Sequence, residues 1–121
     1  MLFQTIKNIP KRVINASLYS WDGLKNTFVK EESFRLEVLV LGLLIAILCL
    51  VPWPLWKKAA LTAAFLLIPL AELLNSAIED LCDLVCPERH PLIKSAKDKG
   101  SAAVLLAIIV NLAALAALTF I

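Results

Sequence analysis

Residues 59–83 read Ala59-Ala-Leu-Thr-Ala-Ala-Phe-Leu-Leu-Ile-Pro69-Leu-Ala-Glu72-Leu-Leu-Asn75-Ser76-Ala-Ile-Glu79-Asp80-Leu-Cys-Asp83. The stretch starts as an uninterrupted apolar run and then acquires carboxylates without losing its leucines. Advancing about 100° per residue along a helix, Glu72, Asn75, Ser76, Glu79 and Asp83 fall in one sector roughly 100° wide. Leu70, Leu73, Leu74, Ile78 and Leu81 largely occupy the remainder. Ionisable groups inside a membrane span are costly, so a stripe of them points to function. A seam of interhelical hydrogen bonds is the structural alternative. It suits Asn75 and Ser76, but it suits three like charges on one face poorly.

The rest of the chain sets this helix in a membrane. Of 121 residues, 60% are hydrophobic and 18% are charged, with mean hydropathy +0.83. Water-soluble domains run nearer 45–50% apolar and about 25% charged. The net charge of +2 is too small for a phosphate reader, which excludes nucleic acid as a partner. Two further apolar runs flank residues 59–80, at about 36–55 and about 100–121, and each approaches the roughly 20 residues a spanning helix needs. The expectation is an all-α membrane protein forming a single domain over residues 1–121. The first run begins too far into the chain, and lacks a small-residue cleavage site, for a secretory leader.

Basic residues set the orientation. Lys7, Lys11, Arg12, Lys25, Lys30 and Arg35 precede the first span, Arg89, Lys94, Lys97 and Lys99 lie between the second and third, and only Lys57 and Lys58 separate the first two. The positive-inside rule then puts the N-terminus in the cytoplasm and the C-terminus outside, with Trp53 and Trp56 as outer interfacial anchors. Within about residues 5–30, Ile14, Leu18, Trp21, Leu24 and Phe28 form one apolar stripe, which predicts an amphipathic N-terminal helix. That helix lies in the membrane interface, packs on the spans, or does both. Cys82 and Cys86 stand one helical turn apart on the reducing side, and with His90 the sole histidine they do not make a metal site.

Carboxylates gathered at the cytoplasmic end of a span suit two jobs. One is holding Mg²⁺, which takes one or two carboxylates and completes its shell with phosphate oxygens and water. The other is general-base catalysis by a carboxylate tuned by apolar surroundings. Glu72 is the deepest and fits the base; Glu79 is shallower and fits the metal. Their separation, about 10 Å at about 1.5 Å rise per residue, argues for two residues with two roles. Glu31, Glu32, Arg35 and Glu37 approach the first span from the same side. In the second loop Lys94, Lys97 and Ser101 share a helix face that suits a polyphosphate, although cytoplasmic basic residues also serve topology alone. With Gly23, Gly42 and Gly100 as the only glycines, neither a Walker A nor a kinase Gly-rich loop can form. Three short spans cannot wrap a polar site by themselves, so the chain is expected to associate.

Glu72-Leu-Leu-Asn75-Ser76-Ala77-Ile78-Glu79, followed by Asp83 and by Ala96-Lys97-Asp98-Lys-Gly-Ser101-Ala-Ala-Val, resembles the signature of the small integral-membrane diacylglycerol kinases of bacteria. Tyr19-Ser20-Trp21-Asp-Gly-Leu24 with Glu31 and Phe34-Arg35 carries the likeness upstream, so that it covers about residues 12 to 118. The resemblance implies a homotrimeric bundle of surface helix plus three spans per subunit, in the bacterial cytoplasmic membrane. It implies ATP- and Mg²⁺-dependent phosphorylation of diacylglycerol to phosphatidic acid at the inner leaflet. Carried over by position, Glu72 and Asn75 are catalytic, and Glu31 and Glu79 hold metal. Arg12, Tyr19, Glu31, Glu79, Glu88, Arg89, His90, Lys97 and Asp98 bind ATP. Arg12, Ser20, Trp21, Ser33, Arg35, Glu37, Glu72 and Ser101 meet the lipid.

Undecaprenol kinases share the fold implied by this resemblance. Leu36, Asn15 and Ser17 depart from the pattern of the diacylglycerol branch, and all three lie in the lipid-facing N-terminal region. A proton-coupled transporter would account for Glu72, but not for Glu31, Glu79, Asp83 and Lys97 gathered at the cytoplasmic rim. A purely structural oligomer predicts that Glu72→Leu is harmless.

Overall fold

A computed structural model describes residues 9–121, which form four helices and, among the described residues, no strand. Helix α1 spans Ile9–Lys30, α2 Glu32–Leu50, α3 Leu55–Val85 and α4 Pro91–Phe120. Residues 5–8 of the expected N-terminal helix lie outside the described residues. Helices α2, α3 and α4 are each long and apolar enough to cross a membrane.

The helix ends follow local chemistry. Glu31 is extended between α1 and α2, and its N–H donates to the Thr27 carbonyl at 2.8 Å. The Arg35 guanidinium reaches back to the Phe28 and Val29 carbonyls at 3.1 and 2.9 Å. It thereby satisfies two of the last carbonyls of α1, where a cation also complements the helix dipole. Pro52 bars Val51 from helical backbone, so α2 stops at Leu50 and Pro54 becomes the N-cap of α3. Pro87 ends α3 in the same way at Cys86. Helix α4 starts with Pro91 in its first turn, and the His90 side chain accepts the Leu92 N–H at 3.2 Å. The apolar run expected at 100–121 is therefore the continuation of a helix that begins at Pro91. Helix α3 likewise runs past residue 80 to Val85.

Helix α3 is central, antiparallel to both α2 and α4. Leu48, Leu61 and Leu118 form one buried cluster, and Phe65, Ile68 and Ala107 form the next. At this end Lys57 donates to the Leu118 carbonyl at 3.1 Å, with its ammonium 5.6 and 5.7 Å from the Trp53 and Trp56 rings. That arrangement cups the C-terminus of α4 and adds cation–π attraction. Much of the outward surface stays apolar: Leu36, Leu39, Leu43, Leu70, Leu74, Leu105, Leu106 and Leu112 are all exposed on the single chain, as membrane-facing or subunit-facing surface would be. On α1, Ile14, Leu18, Trp21, Leu24 and Phe28 are exposed as well.

Candidate active site

The carboxylate stripe of α3 faces the elbow between α1 and α2. Glu72 is only 9% exposed, and Ser33 at the start of α2 donates its hydroxyl to Glu72 Oε1. One turn on, Ser76 donates to Glu31 Oε1 at 3.2 Å. On the α4 side, Asn75 Nδ2 donates to Glu79 Oε1 at 3.1 Å. These bonds bring Glu31, Ser33, Glu72 and Ser76 together between the α1–α2 elbow and α3, and Asn75 and Glu79 extend the patch along α3. Glu37 is half-buried on α2, and its Oε2 is buried without a partner.

The partners divide the acids into two kinds. Asp80 is paired with Lys30 at 2.8 Å, Asp83 with Lys97 at 2.6 Å and Asp98 with Lys94 at 2.5 Å. Glu31, Glu72 and Glu79 are held instead by a hydroxyl or an amide and, among the described residues, form no salt bridge, with Lys30 and Lys97 close enough to Glu31 and Glu79 to act on them by charge alone. The neighbouring Asp80 carboxylate raises the Lys30 ammonium above its ordinary range, first through their hydrogen bond and then through charge. No group of three or more histidine, cysteine or acidic side chains, among the described residues, converges as a preformed metal cage. Two unpaired carboxylates still fit Mg²⁺, which takes most of its shell from phosphate and water.

Beyond the patch, a cleft of about 670 Å³ lies where α3 ends and α4 begins. Glu88, Arg89, His90, Lys97 and Asp98 line it together, alongside Asp83, Cys86 and Lys94. His90 Nδ1 is committed to capping α4. Other expected site residues stand apart. Arg12, Tyr19, Ser20 and Trp21 are exposed along α1, and none of them lines this cleft. Ser101 is exposed on α4, and the Arg35 guanidinium is spent on the end of α1.

Two features were not read from sequence. Gly100 is buried where α4 crosses α3: an added Cβ would meet the side-chain oxygen of Asn75 well inside contact distance, with Asn75 Cγ at 3.2 Å and Cα at 3.6 Å. Glycine at this crossing is what lets Asn75 stand upright and reach Glu79. The Lys30–Asp80 pair ties the end of α1 to α3. The only sequence signal for either was the helical phase of Asn75 and Asp80. An apolar groove of about 300 Å³ also runs between α3 and α4, lined by Leu67, Leu70, Leu74, Ala103, Leu106 and Val110 among others, with Asn75 as its polar exception.

Comparison with known proteins gives consistent findings. The family model described as prokaryotic diacylglycerol kinase matches residues 18–119, so Arg12 lies outside the match. The diacylglycerol kinase of Pseudomonas aeruginosa is 45% identical over 100 residues, covering 83% of this chain and 81% of that protein. That of Escherichia coli K12 is 41% identical over 99 residues, covering 82% and 81%. That of Haemophilus influenzae is 38% identical over 96 residues, covering 79% and 81%.

Proposed function

The chain belongs to the prokaryotic diacylglycerol kinase family, and from that premise we propose that it transfers the γ-phosphoryl group of ATP to the primary hydroxyl of diacylglycerol at the inner leaflet of the cytoplasmic membrane. The observation that carries this reading is the division of the acids: Glu31, Glu72 and Glu79 are bonded to a hydroxyl or an amide rather than to a lysine, next to a cleft lined by Arg89, Lys94 and Lys97. A site of that kind offers carboxylates to a cation on one side and, on the other, Arg89 with two lysines that can exchange Asp83 and Asp98 for phosphate oxygens, and a metal-bound polyphosphate engages both.

Glu31 and Glu79 would hold Mg²⁺, which when bound neutralises charge on the phosphate oxygens. Glu88, Arg89, His90, Lys97 and Asp98 border the nucleotide, with Lys97 exchanging Asp83 for a phosphate oxygen. Arg12 and Tyr19 join the nucleotide site from α1. Glu72 takes the proton of the lipid hydroxyl as its oxygen bonds to the γ-phosphorus. The bond from that phosphorus to the β–γ bridging oxygen breaks, and ADP leaves. Ser33 orients Glu72 through its hydroxyl, and Asn75 holds Glu79 while remaining one turn from the reacting oxygen. Ser20, Trp21, Arg35, Glu37 and Ser101 border the lipid.

The exposed apolar faces of α1 and the spans support association, and the number of copies and the placing of α1 rest on the family resemblance. Three copies associate, α1 lies along the cytoplasmic interface, and the C-terminus is external. The test is Mg²⁺-dependent transfer of labelled phosphate from ATP to diacylglycerol and to undecaprenol in mixed micelles, for the intact chain and for Glu72→Gln. Transfer to diacylglycerol that disappears in the variant, with ATP binding retained, supports the whole reading. Preference for undecaprenol overturns the acceptor, and transfer to neither overturns the kinase.

A further inference from the structure

Two orphaned backbone and side-chain groups lie in the membrane-embedded half of the α3–α4 hairpin, away from the site. Pro69 sits inside α3 and is buried. Having no N–H, it leaves the carbonyl of Phe65, one turn earlier, without its helical donor. In a membrane such a freed carbonyl is re-satisfied by a neighbouring helix, a side chain or an ordered water. Across from it, Asn111 is one of the two polar residues within residues 102–121. Its Nδ2 is buried and has no hydrogen-bond partner.

The register of the hairpin brings the two groups together. Asn75 faces Gly100, Ile68 packs with Ala107, and Lys57 reaches the Leu118 carbonyl. Each step along α3 is matched by an equal step backwards along α4, and the same register sets Asn111 opposite Ala64, beside Phe65. Side chains on a helix lean toward its N-terminus. In this antiparallel pair that direction on α4 runs from Ala64 toward Pro69, the side on which the Phe65 carbonyl projects. Phe65, Ile68 and Pro69 are all buried, so this face is turned inward.

We propose that Asn111 is a positioning residue: through one bound water, its amide supplies the donor that Pro69 withholds from the Phe65 carbonyl. Glu72 lies one turn beyond Pro69, so the bond fixes the direction in which α3 continues into the carboxylate patch. The requirement is reciprocal. A chain with an amide-bearing residue at 69 would have no use for Asn111, and a chain with Pro69 but no Asn111 would carry an unsatisfied carbonyl in an apolar setting.

A double-mutant cycle on the detergent-solubilised full chain, unfolded with SDS, tests this without depending on the kinase reading. Interhelical hydrogen bonds in membranes suggest that Asn111→Leu lowers the folding equilibrium constant about three- to fifteen-fold. In the Pro69→Ala background, where the helix regains its own donor, the same substitution should cost nothing. Equal losses in both backgrounds would overturn the proposal. A ¹³C=¹⁸O label on the Phe65 carbonyl gives a second readout. Its amide I band should move to higher frequency in Asn111→Leu, and an unmoved band would also overturn it. In turnover assays the variant should lower kcat while leaving the KM for ATP unchanged, because α3 is redirected and the cleft at Lys97 is not.

Discussion

Replacing Gly100 by alanine tests the crossing of α3 and α4 most directly, because two effects of opposite sign compete there. Within a helix, alanine is favoured over glycine by about 1 kcal/mol. At this position the new methyl lands on the Asn75 side chain, with Cγ at 3.2 Å, while Cα at 3.6 Å is in ordinary contact, so it is the Asn75 side chain that has to turn away. Overpacking of this kind costs about 1–3 kcal/mol. Turning Asn75 also breaks its bond to Glu79, and a hydrogen bond to a charged group contributes about 1.5–3 kcal/mol when buried and less at this half-buried site. The balance is a net loss of roughly 1–4 kcal/mol. It should be read as the SDS-unfolding midpoint followed by tryptophan fluorescence, together with a fall in Mg²⁺-dependent turnover as Glu79 loses its support. In an Asn75→Ala background the methyl has room, and Gly100→Ala should then stabilise. A Gly100→Ala single variant that gains stability would refute the close crossing.

Three further outcomes follow from the same geometry. Lys97→Ala should leave the unfolding midpoint in place, since the Lys97–Asp83 pair is solvent-exposed, but should reduce kcat/KM for ATP about ten- to a hundredfold through one lost charge-assisted bond to phosphate. Arg35→Ala uncaps the Phe28 and Val29 carbonyls; limited trypsinolysis at Lys30 should speed up severalfold, and an unchanged cleavage rate would mean the elbow holds without it. For Lys30, the folded-state pKa is raised by Asp80. Its contribution is therefore fully present below the unfolded value of 10.5 and is lost as pH climbs through the folded value. Unfolding midpoints of the parent and Asp80→Asn should differ by a constant amount well below the unfolded value of 10.5 and converge as pH rises past it through the folded value.

The all-helical architecture was legible because bilayer-spanning helices announce themselves by length and apolar content, and proline marks their ends at 52–54 and at 87. The phase of α3 was equally legible. A rotation of about 100° per residue places Glu72, Asn75, Ser76 and Glu79 on one side whatever they touch, and the structure sets Glu72 against α2, Ser76 against the α1–α2 elbow and Asn75 against α4, with Glu79 bonded to Asn75. Less visible was the helical character of residues 91–99. Pro91 behind His90 is a helix start signal, but the lysines and aspartate that follow read equally well as a charged loop. Partners could not be read at all. Whether Glu31 meets Ser76 or Asp80 meets Lys30 depends on the angle at which two helices cross, and that angle is set by contacts such as Gly100 on Asn75, which join residues 25 positions apart.

The 31-residue length of α3 gives the molecule a fixed scale. Counting about 1.5 Å per residue from Leu55, Glu72 stands about 26 Å along the axis and Asp83 about 42 Å, against a hydrocarbon layer of about 30 Å. Glu72 is thus held just beneath the boundary, while the lysine-paired acids stand in water beyond it. Lipids present their hydroxyls at a level set by bilayer thickness, and the helix presents Glu72 at a level set by the number of residues before it. With Glu72 as the proposed base, the chain would work as a depth gauge. In bilayers of graded acyl length, turnover should peak where the two levels coincide and fall on either side, with the helix tilting to follow only part of the mismatch.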